Sequence, residues 1–204
     1  MACNLETLLI EKSDFDCIGQ VAKHCSWDQL CIFIREQQNL YLLPKIGYCL
    51  FSKLMANPTD TVVQKLLCGG EYTGCNGIVK YQFGLKRVLV HASYAAYIYR
   101  HGFIDTPFGV VQKLNQDSLP TPIIELKSIK NEHYTNAELY FEGVKDYICT
   151  VKDNDLFKDC FCENSFANLI DYGNFIDSIH CNSCCGKSEV QTQRRQYSFS
   201  NIEK

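Results

Sequence analysis

The chain has 204 residues, 46% of them hydrophobic, and its 20 basic and 23 acidic residues give a net charge of −3. This composition is enough for one main domain with an appendage, and the lack of clustered Lys and Arg argues against a nucleic-acid-binding surface. The N-terminus has no basic region ahead of an apolar run, and no window reaches the roughly 18 apolar residues of a membrane span. The sequence therefore predicts a soluble protein without a secretion signal.

The first helix is predicted to start at Ser26. Gln29 lies three residues later, which is the spacing of a capping box. Apolar residues then recur at near-helical intervals to about Leu42. Residues 1–25 are weakly patterned and are predicted to form an N-terminal arm with at most one helical turn.

Proline and glycine divide the next segment into two helices. Pro44 suits the first turn of a second helix, because its missing N–H is not needed there. The Asn-Pro pair at 57–58 ends that helix. Thr59 or Asp60 then caps a shorter third helix, which the Gly-Gly pair at 69–70 ends.

Two longer helices follow. A glycine-spaced loop, CGGEYTGCNG, leads to a fourth helix from about Tyr81 to His101, whose wide alanine-containing apolar face is typical of a central helix. The fifth helix opens at Pro122 and runs to about Cys149. Beyond it the sequence consists of short aromatic islands between polar residues and cysteines.

These elements predict a mainly α fold, a compact bundle of about five helices with a long apolar loop and an irregular Cys-rich C-terminal extension. The predicted division is an arm at 1–25, a helical core at 26–149 and the Cys-rich extension and tail at 150–204.

The connection between the fourth and fifth helices, HGFIDTPFGVVQKLNQDS, is unusually long and apolar, since helix connections in bundles commonly have about 2 to 8 residues. Its apolar residues are Phe103, Ile104, Phe108, Val110, Val111 and Leu114. They either fold back on their own bundle or pack against a neighbour, and the run FGVVQKL is also able to pair as a strand with an equivalent partner segment.

Thirteen cysteines occur in the chain. Those standing singly in apolar patterns are Cys17, Cys25, Cys31, Cys49, Cys68, Cys75 and Cys149. In a reducing cytosol they are expected to be free thiols that pack as small hydrophobic residues.

The C-terminal cysteines have the spacing of a zinc site. Cys160 and Cys162 form one close pair, and Cys181 and Cys184 form a second with the usual two-residue gap, roughly eighteen residues further on. Either these residues bind zinc, which would staple an extension poor in apolar residues, or they are a chance concentration of thiols.

No enzyme motif accompanies these cysteines. The sequence lacks a G-x-S-x-G, an H-E-x-x-H, a P-loop and a G-x-G-x-x-G. None of the histidines has a carboxylate at a sequence spacing typical of a catalytic site. They are His24, His91, His101, His133 and His180. The chain is therefore predicted not to be an enzyme. A thiol-dependent activity would need a low-pKa tail cysteine beside His180.

Residues 38–149 resemble the head–tail connector (adaptor) proteins of tailed bacteriophages, in particular crAss-like and other Bacteroides-infecting phages. The resemblance rests on NLYLLPKIGYCLFSKL, GLKRVLVHASYAAYIYRHG, DTPFGVVQKLNQDS and NEHYTNAELYFEGVKDYI, of which the DTPFGVVQK segment is the most specific.

The resemblance implies a virion structural protein that is assembled in the host cytoplasm. It would form a ring of about twelve copies below the portal and extend the DNA channel toward the tail. The implied partners are other copies of itself, the portal protein and neighbouring connector or tail proteins, with DNA passing through without specific binding. No cofactor is implied. The alternative is a small zinc-containing regulatory or nucleic-acid-binding module.

Overall fold

Six α-helices and two β-hairpins make up the part of the chain that the computed structural model describes, residues 7–18, 26–74, 76–101, 103–107, 109–112 and 121–161. The helices are α1 Trp27–Gln37, α2 Leu43–Ile46, α3 Tyr48–Ala56, α4 Thr61–Cys68, α5 Gly84–His101 and α6 Ile123–Val151. The strands are β1 Gly70–Thr73, β2 Val79–Gln82, β3 Phe103–Thr106 and β4 Gly109–Gln112. The predicted mainly α fold is confirmed.

The first helix runs further than predicted. After α1 the chain makes a π-helical turn, Gln38–Leu42, and continues directly into α2. Ser26 is the N-cap residue, but its side chain makes no capping hydrogen bond. The predicted N-cap position is therefore confirmed, but the side-chain hydrogen bond of the predicted capping box does not form.

Gly47 divides the predicted second helix. Its φ of +77° lies in a region that L-residues rarely adopt, so the helical path from Pro44 stops there and α3 begins one residue later. The prediction of one helix from Pro44 to Asn57 is wrong at this point, because a single glycine resets the direction of the backbone.

The third predicted helix is confirmed as α4. Its N-cap is Asp60, whose carboxylate accepts hydrogen bonds from the backbone N–H of Val62 at 2.8 Å and of Val63 at 3.1 Å. Gly69, with a φ of +89°, ends the helix.

The predicted glycine-rich loop is a β-hairpin, and the helix after it starts at Gly84 instead of Tyr81. β1 and β2 are antiparallel, with Tyr72 opposite Lys80. The Asn-Gly dipeptide at 76–77 is a strong turn signal, because both residues tolerate a positive φ. Tyr81 therefore belongs to a strand.

Gln82 joins the end of α4 to the start of α5. Its buried side chain donates to the Lys65 carbonyl at 2.5 Å and accepts from the Gly84 N–H at 2.6 Å. Gly84 has a φ of +83°, and a Cβ at this position would overlap the Leu67 carbonyl oxygen. These contacts fix the direction in which α5 enters the core.

α5 is the central helix, as predicted, and α6 packs along it as its main neighbour. Every residue from Val88 to Tyr97 is buried. Pro122 is the N-cap residue of α6, one position before its predicted place in the first turn. None of the described helices is long and apolar enough to cross a membrane.

The N-terminal segment packs on this core. Ile10 and Phe15, in and beside a 3-10 helix at Lys12–Ile18, are each 2% exposed. The Gln38 side chain accepts a hydrogen bond from the Leu9 N–H at 2.7 Å.

The segment after α6 is also anchored. Phe157 is fully buried, and Cys160 forms a disulfide with Cys49 of α3, 111 residues away. Cys149 is disulfide-bonded as well. The expectation that Cys49 and Cys149 are free thiols is therefore wrong, because packing brings distant segments close enough for oxidation. Cys17, Cys31 and Cys68 are free thiols, as expected, but Cys17 and Cys68 are exposed and do not pack as small hydrophobic residues. Cys25 and Cys75 lie outside the described residues.

Candidate assembly site

The long connection between α5 and α6 contains a second β-hairpin. β3 and β4 pair antiparallel, with Phe103 opposite Gln112 and Ile104 opposite Val111. Within the chain, residues 109–112 of the FGVVQKL run pair with β3, so the expected strand is present, and its pairing with a partner chain stays a prediction.

The predicted interface residues are partly brought together by this pairing. Phe103 and Ile104 lie on β3, and Val110 and Val111 lie on β4. Phe108 and Leu114 lie outside the described residues.

The β3–β4 hairpin makes its main described contacts between its own two strands. At its base, the half-buried Phe103 places its ring 6.0 Å from the ring of Tyr99 on α5. A pocket of about 200 Å³ opens beside it, lined by residues of α1 and the end of α5, among them Phe33 and Arg100. The base of the hairpin is thus anchored, and its two strands, FIDT and GVVQ, alternate between apolar and polar pairs of residues along the chain with Phe103, Ile104, Val110 and Val111 as the apolar ones.

A second apolar surface, which sequence reasoning missed, lies on the β1–β2 hairpin. We call it the β2 apolar patch, and its residues are Ile78 (58% exposed), Val79 (64%), Tyr81 (57%) and Phe83 (47%). The register explains it, because Tyr72 is buried while Val79 and Tyr81, opposite Thr73 and Glu71, lie on the outer face. The alternation in VKYQ beside the Asn-Gly turn was the available signal.

Aromatic contacts support the β2 apolar patch from below. The rings of Tyr81 and Phe83 lie 5.1 Å apart, edge to face, and Phe83 makes the same contact at 5.1 Å with Tyr140 of α6. Beside them, Lys80 donates to the Asp146 carboxylate at 2.9 Å. Rigid aromatic groups within a polar rim are typical of protein–protein contact surfaces.

The α5–α6 interface contains a buried histidine pair that sequence reasoning also missed. His91 and His133 are 7% and 6% exposed, and their Nδ1 atoms lie 3.0 Å apart, so one donates and the other accepts. Burial, then His133 and Arg87, lower the pKa of His91 to about 4, and burial lowers that of His133. Both rings are therefore neutral near pH 7.

The predicted zinc ligands are not assembled in the described part of the chain. Cys160 is bonded to Cys49, and a half-cystine offers no thiolate to a metal. Cys162, Cys181 and Cys184 lie outside the described residues. Within the described ranges no group of three potential metal ligands occurs.

A large central segment of the chain matches a known protein family. Residues 42–167 match the model of a family described as a family of unknown function, DUF6712. The protein belongs to the DUF6712 family. The DUF6712 region begins in the π-helical turn and contains both hairpins, the histidine pair and both half-cystines of the Cys49–Cys160 disulfide. No curated protein and no solved structure matches the chain.

Proposed function

We propose that this protein is a structural component of a tailed-bacteriophage virion that forms a ring below the portal, joins the capsid to the tail and extends the DNA channel. The observation that carries the proposal is the β3–β4 hairpin, which contains the apolar residues Phe103, Ile104, Val110 and Val111 and whose main described contacts lie between its own two strands. The resemblance of its sequence to connector proteins supports the same role.

The apolar residues of the hairpin favour assembly, because transferring apolar surface from water into a protein interface lowers the free energy. In the proposed ring, a second copy or the portal packs against the apolar residues of the two strands, Phe103, Ile104, Val110 and Val111. A ring needs head-to-tail contacts between two different patches on each subunit. We propose the β3–β4 hairpin as one such patch.

The charge distribution suits a channel that DNA passes through without being held. The net charge is −3. Several basic side chains on the described surface are engaged by carboxylates, including Lys45 with Glu138 at 2.7 Å and Arg100 with Glu36 at 2.7 Å. Clustered unpaired Lys and Arg are the main source of non-specific DNA affinity, and they would retard its passage.

The proposal places the protein in the virion after assembly in the host cytoplasm. Its partners are other copies of itself, the portal protein and the neighbouring connector or tail proteins. Its role requires neither a cofactor nor catalysis.

Native mass spectrometry of the full chain, with and without the portal protein of the same phage, tests the proposal. We expect a closed oligomer of about twelve copies, formed alone or on the portal. Replacing Phe108 and Val110 by Asp should abolish it, because the charges prevent burial of the hairpin, while far-UV circular dichroism stays helical. The control is Tyr48→Asp, which adds a charge at a side chain of α3 that is 65% exposed and should leave assembly intact.

Assembly that survives both aspartates would count against the proposal, as would a chain that stays monomeric with the portal present. The same spectra report bound metal. A zinc-bearing monomer with salt-sensitive DNA binding would instead support the regulatory or nucleic-acid-binding module.

A further inference from the structure

We infer that the Cys49–Cys160 disulfide is a reversible redox site, opened by small thiols of the glutathione type, and that its oxidation state determines how firmly residues 152–161 are attached to α3. The inference rests on the proposed function for its timing, because a virion protein passes from the reducing host cytoplasm to an oxidising exterior. Disulfides in a reducing cytosol are rare and usually transient. The thiol form therefore belongs to the subunit during assembly, and the disulfide belongs to the released particle.

The packing of the segment after α6 positions both cysteines for oxidation. Phe157 is fully buried, and the Asn154 carbonyl accepts hydrogen bonds from the N–H groups of Phe157 at 2.9 Å and Lys158 at 2.8 Å. This turn leads into the short 3-10 helix that ends at Cys160, while Cys49 is fixed in α3. The two Cα atoms lie 5.3 Å apart, within the usual range for a disulfide. Thiols at this separation form the bond without refolding of the chain.

The crosslink matters for this segment because little else in it is buried. Within residues 152–161, Phe157 and Cys160 are the only buried residues, and Leu156 and Phe161 pack on the core only in part. A segment with so few buried side chains opens locally at a low free-energy cost, whereas the enclosed helix α5 opens only with the whole domain. Reduction should therefore loosen residues 152–161 and leave the helical core folded.

Thiol–disulfide exchange opens the bond in two balanced steps. Cys49 is half-buried and Cys160 is 4% exposed, so a small thiolate meets the sulfur of Cys49 first. It attacks Cys49 Sγ, the bond between the two Sγ atoms breaks, and Cys160 Sγ leaves as a thiolate that takes up a proton. A second small thiolate attacks the small-molecule sulfur of the mixed disulfide, and Cys49 Sγ leaves and is protonated. The protein gains two electrons and two protons, and two small thiols become one small disulfide.

Hydrogen–deuterium exchange of the full chain, read by mass spectrometry, tests the attachment of the segment. The samples are the oxidised parent, the parent in excess reduced glutathione, and the Cys49→Ser with Cys160→Ser variant without reductant, which leaves Cys149 oxidised. We expect the peptide 152–161 to exchange about tenfold faster or more in the last two samples, with α5 unchanged. Cys68→Ser, at an exposed free thiol, is the matched control and should exchange like the oxidised parent. Unchanged exchange at 152–161, or equal acceleration in α5, overturns the inference.

Differential alkylation measures whether the site is reversible. The full chain is equilibrated in buffers of different ratios of reduced to oxidised glutathione, and free thiols are then trapped with iodoacetamide and located by mass spectrometry. Cys49 and Cys160 should be alkylated together in excess reduced glutathione and protected together in excess oxidised glutathione. A pair that stays protected throughout is a permanent crosslink and overturns the inference.

These measurements do not depend on ring formation, which native mass spectrometry tests separately. A reversible site on a chain that forms no ring would support the redox chemistry and contradict the proposed function. A permanent crosslink in a chain that forms the ring would do the reverse.

Discussion

Gly84 lies where the start of α5 meets the backbone at the end of α4. It combines a positive φ with close contact to the end of α4, where an added Cβ would overlap the Leu67 carbonyl oxygen and lie 2.6 Å from the Gly69 nitrogen. Backbone atoms cannot rotate away as a side chain can. We therefore expect Gly84→Ala to lower the free energy of unfolding by about 3 kcal/mol or more, measured by urea denaturation.

Gly47→Ala is the matched control for that substitution. Gly47 also has a positive φ, but no atom lies within 4 Å of its added Cβ. Its cost should be confined to backbone strain of about 1 to 3 kcal/mol. Equal losses for the two variants would show that close contact at Gly84 contributes nothing.

The His91–His133 pair makes stability depend on pH. Burial, then the electrostatic interactions with His133 and Arg87, lower the pKa of His91 to about 4, and burial lowers that of His133, which Glu132 raises less strongly. In the unfolded chain both titrate near 6.5. As the pH falls from about 6.5 toward 4, the unfolded state takes up protons that the folded state refuses, and stability falls by about 1 to 3 kcal/mol.

Urea denaturation between about pH 7.5 and pH 5 measures this loss. Stability should be nearly constant above the unfolded pKa and should decline below it. A His91→Gln and His133→Gln variant keeps hydrogen-bonding groups at the interface but does not titrate in this range. If its stability declines as steeply as that of the parent, the histidine pair is not the source.

At the scale of elements, the Cys49–Cys160 disulfide fastens the segment after α6 onto α3. It closes a loop between residues 111 apart. Removing a crosslink of this span frees the unfolded chain, so Cys49→Ser with Cys160→Ser should lower the free energy of unfolding by about 2 to 4 kcal/mol. Denaturation under non-reducing conditions measures it. Cys68→Ser, at an exposed free thiol, should change it by less than about 0.5 kcal/mol, and an equal loss would point to a general effect of serine substitution.

Elements with local signals could be predicted from the sequence. α4 has an aspartate cap at its start and a glycine at its end, and α5 and α6 are long runs without an internal proline. The Asn-Gly turn between β1 and β2 was equally local, but the glycines around it were interpreted as a loop and Tyr81 as helical. The break at Gly47 had no cue beyond the glycine itself, which helices tolerate at a modest cost.

At the scale of the whole molecule, the missed features depend on contacts between distant residues. His91 and His133 are 42 positions apart, and each alone is a plain helix residue. Cys49 could not be matched to Cys160 because thirteen cysteines permit many pairings. The β2 apolar patch consists of apolar side chains that the rest of the described fold leaves exposed, and only the tertiary packing determines which side chains these are. The apolar connection could be identified, but its fold as a hairpin could not.

The burial of α5 also determines how its backbone amides exchange with solvent. Every residue from Val88 to Tyr97 is buried, so the amide groups of this stretch are shielded on all sides of the helix. Amides in such a position exchange with deuterium only when the whole domain opens, whereas exposed turns exchange through local opening. The slowest exchange rates along α5 therefore report the global free energy of unfolding directly, without denaturant.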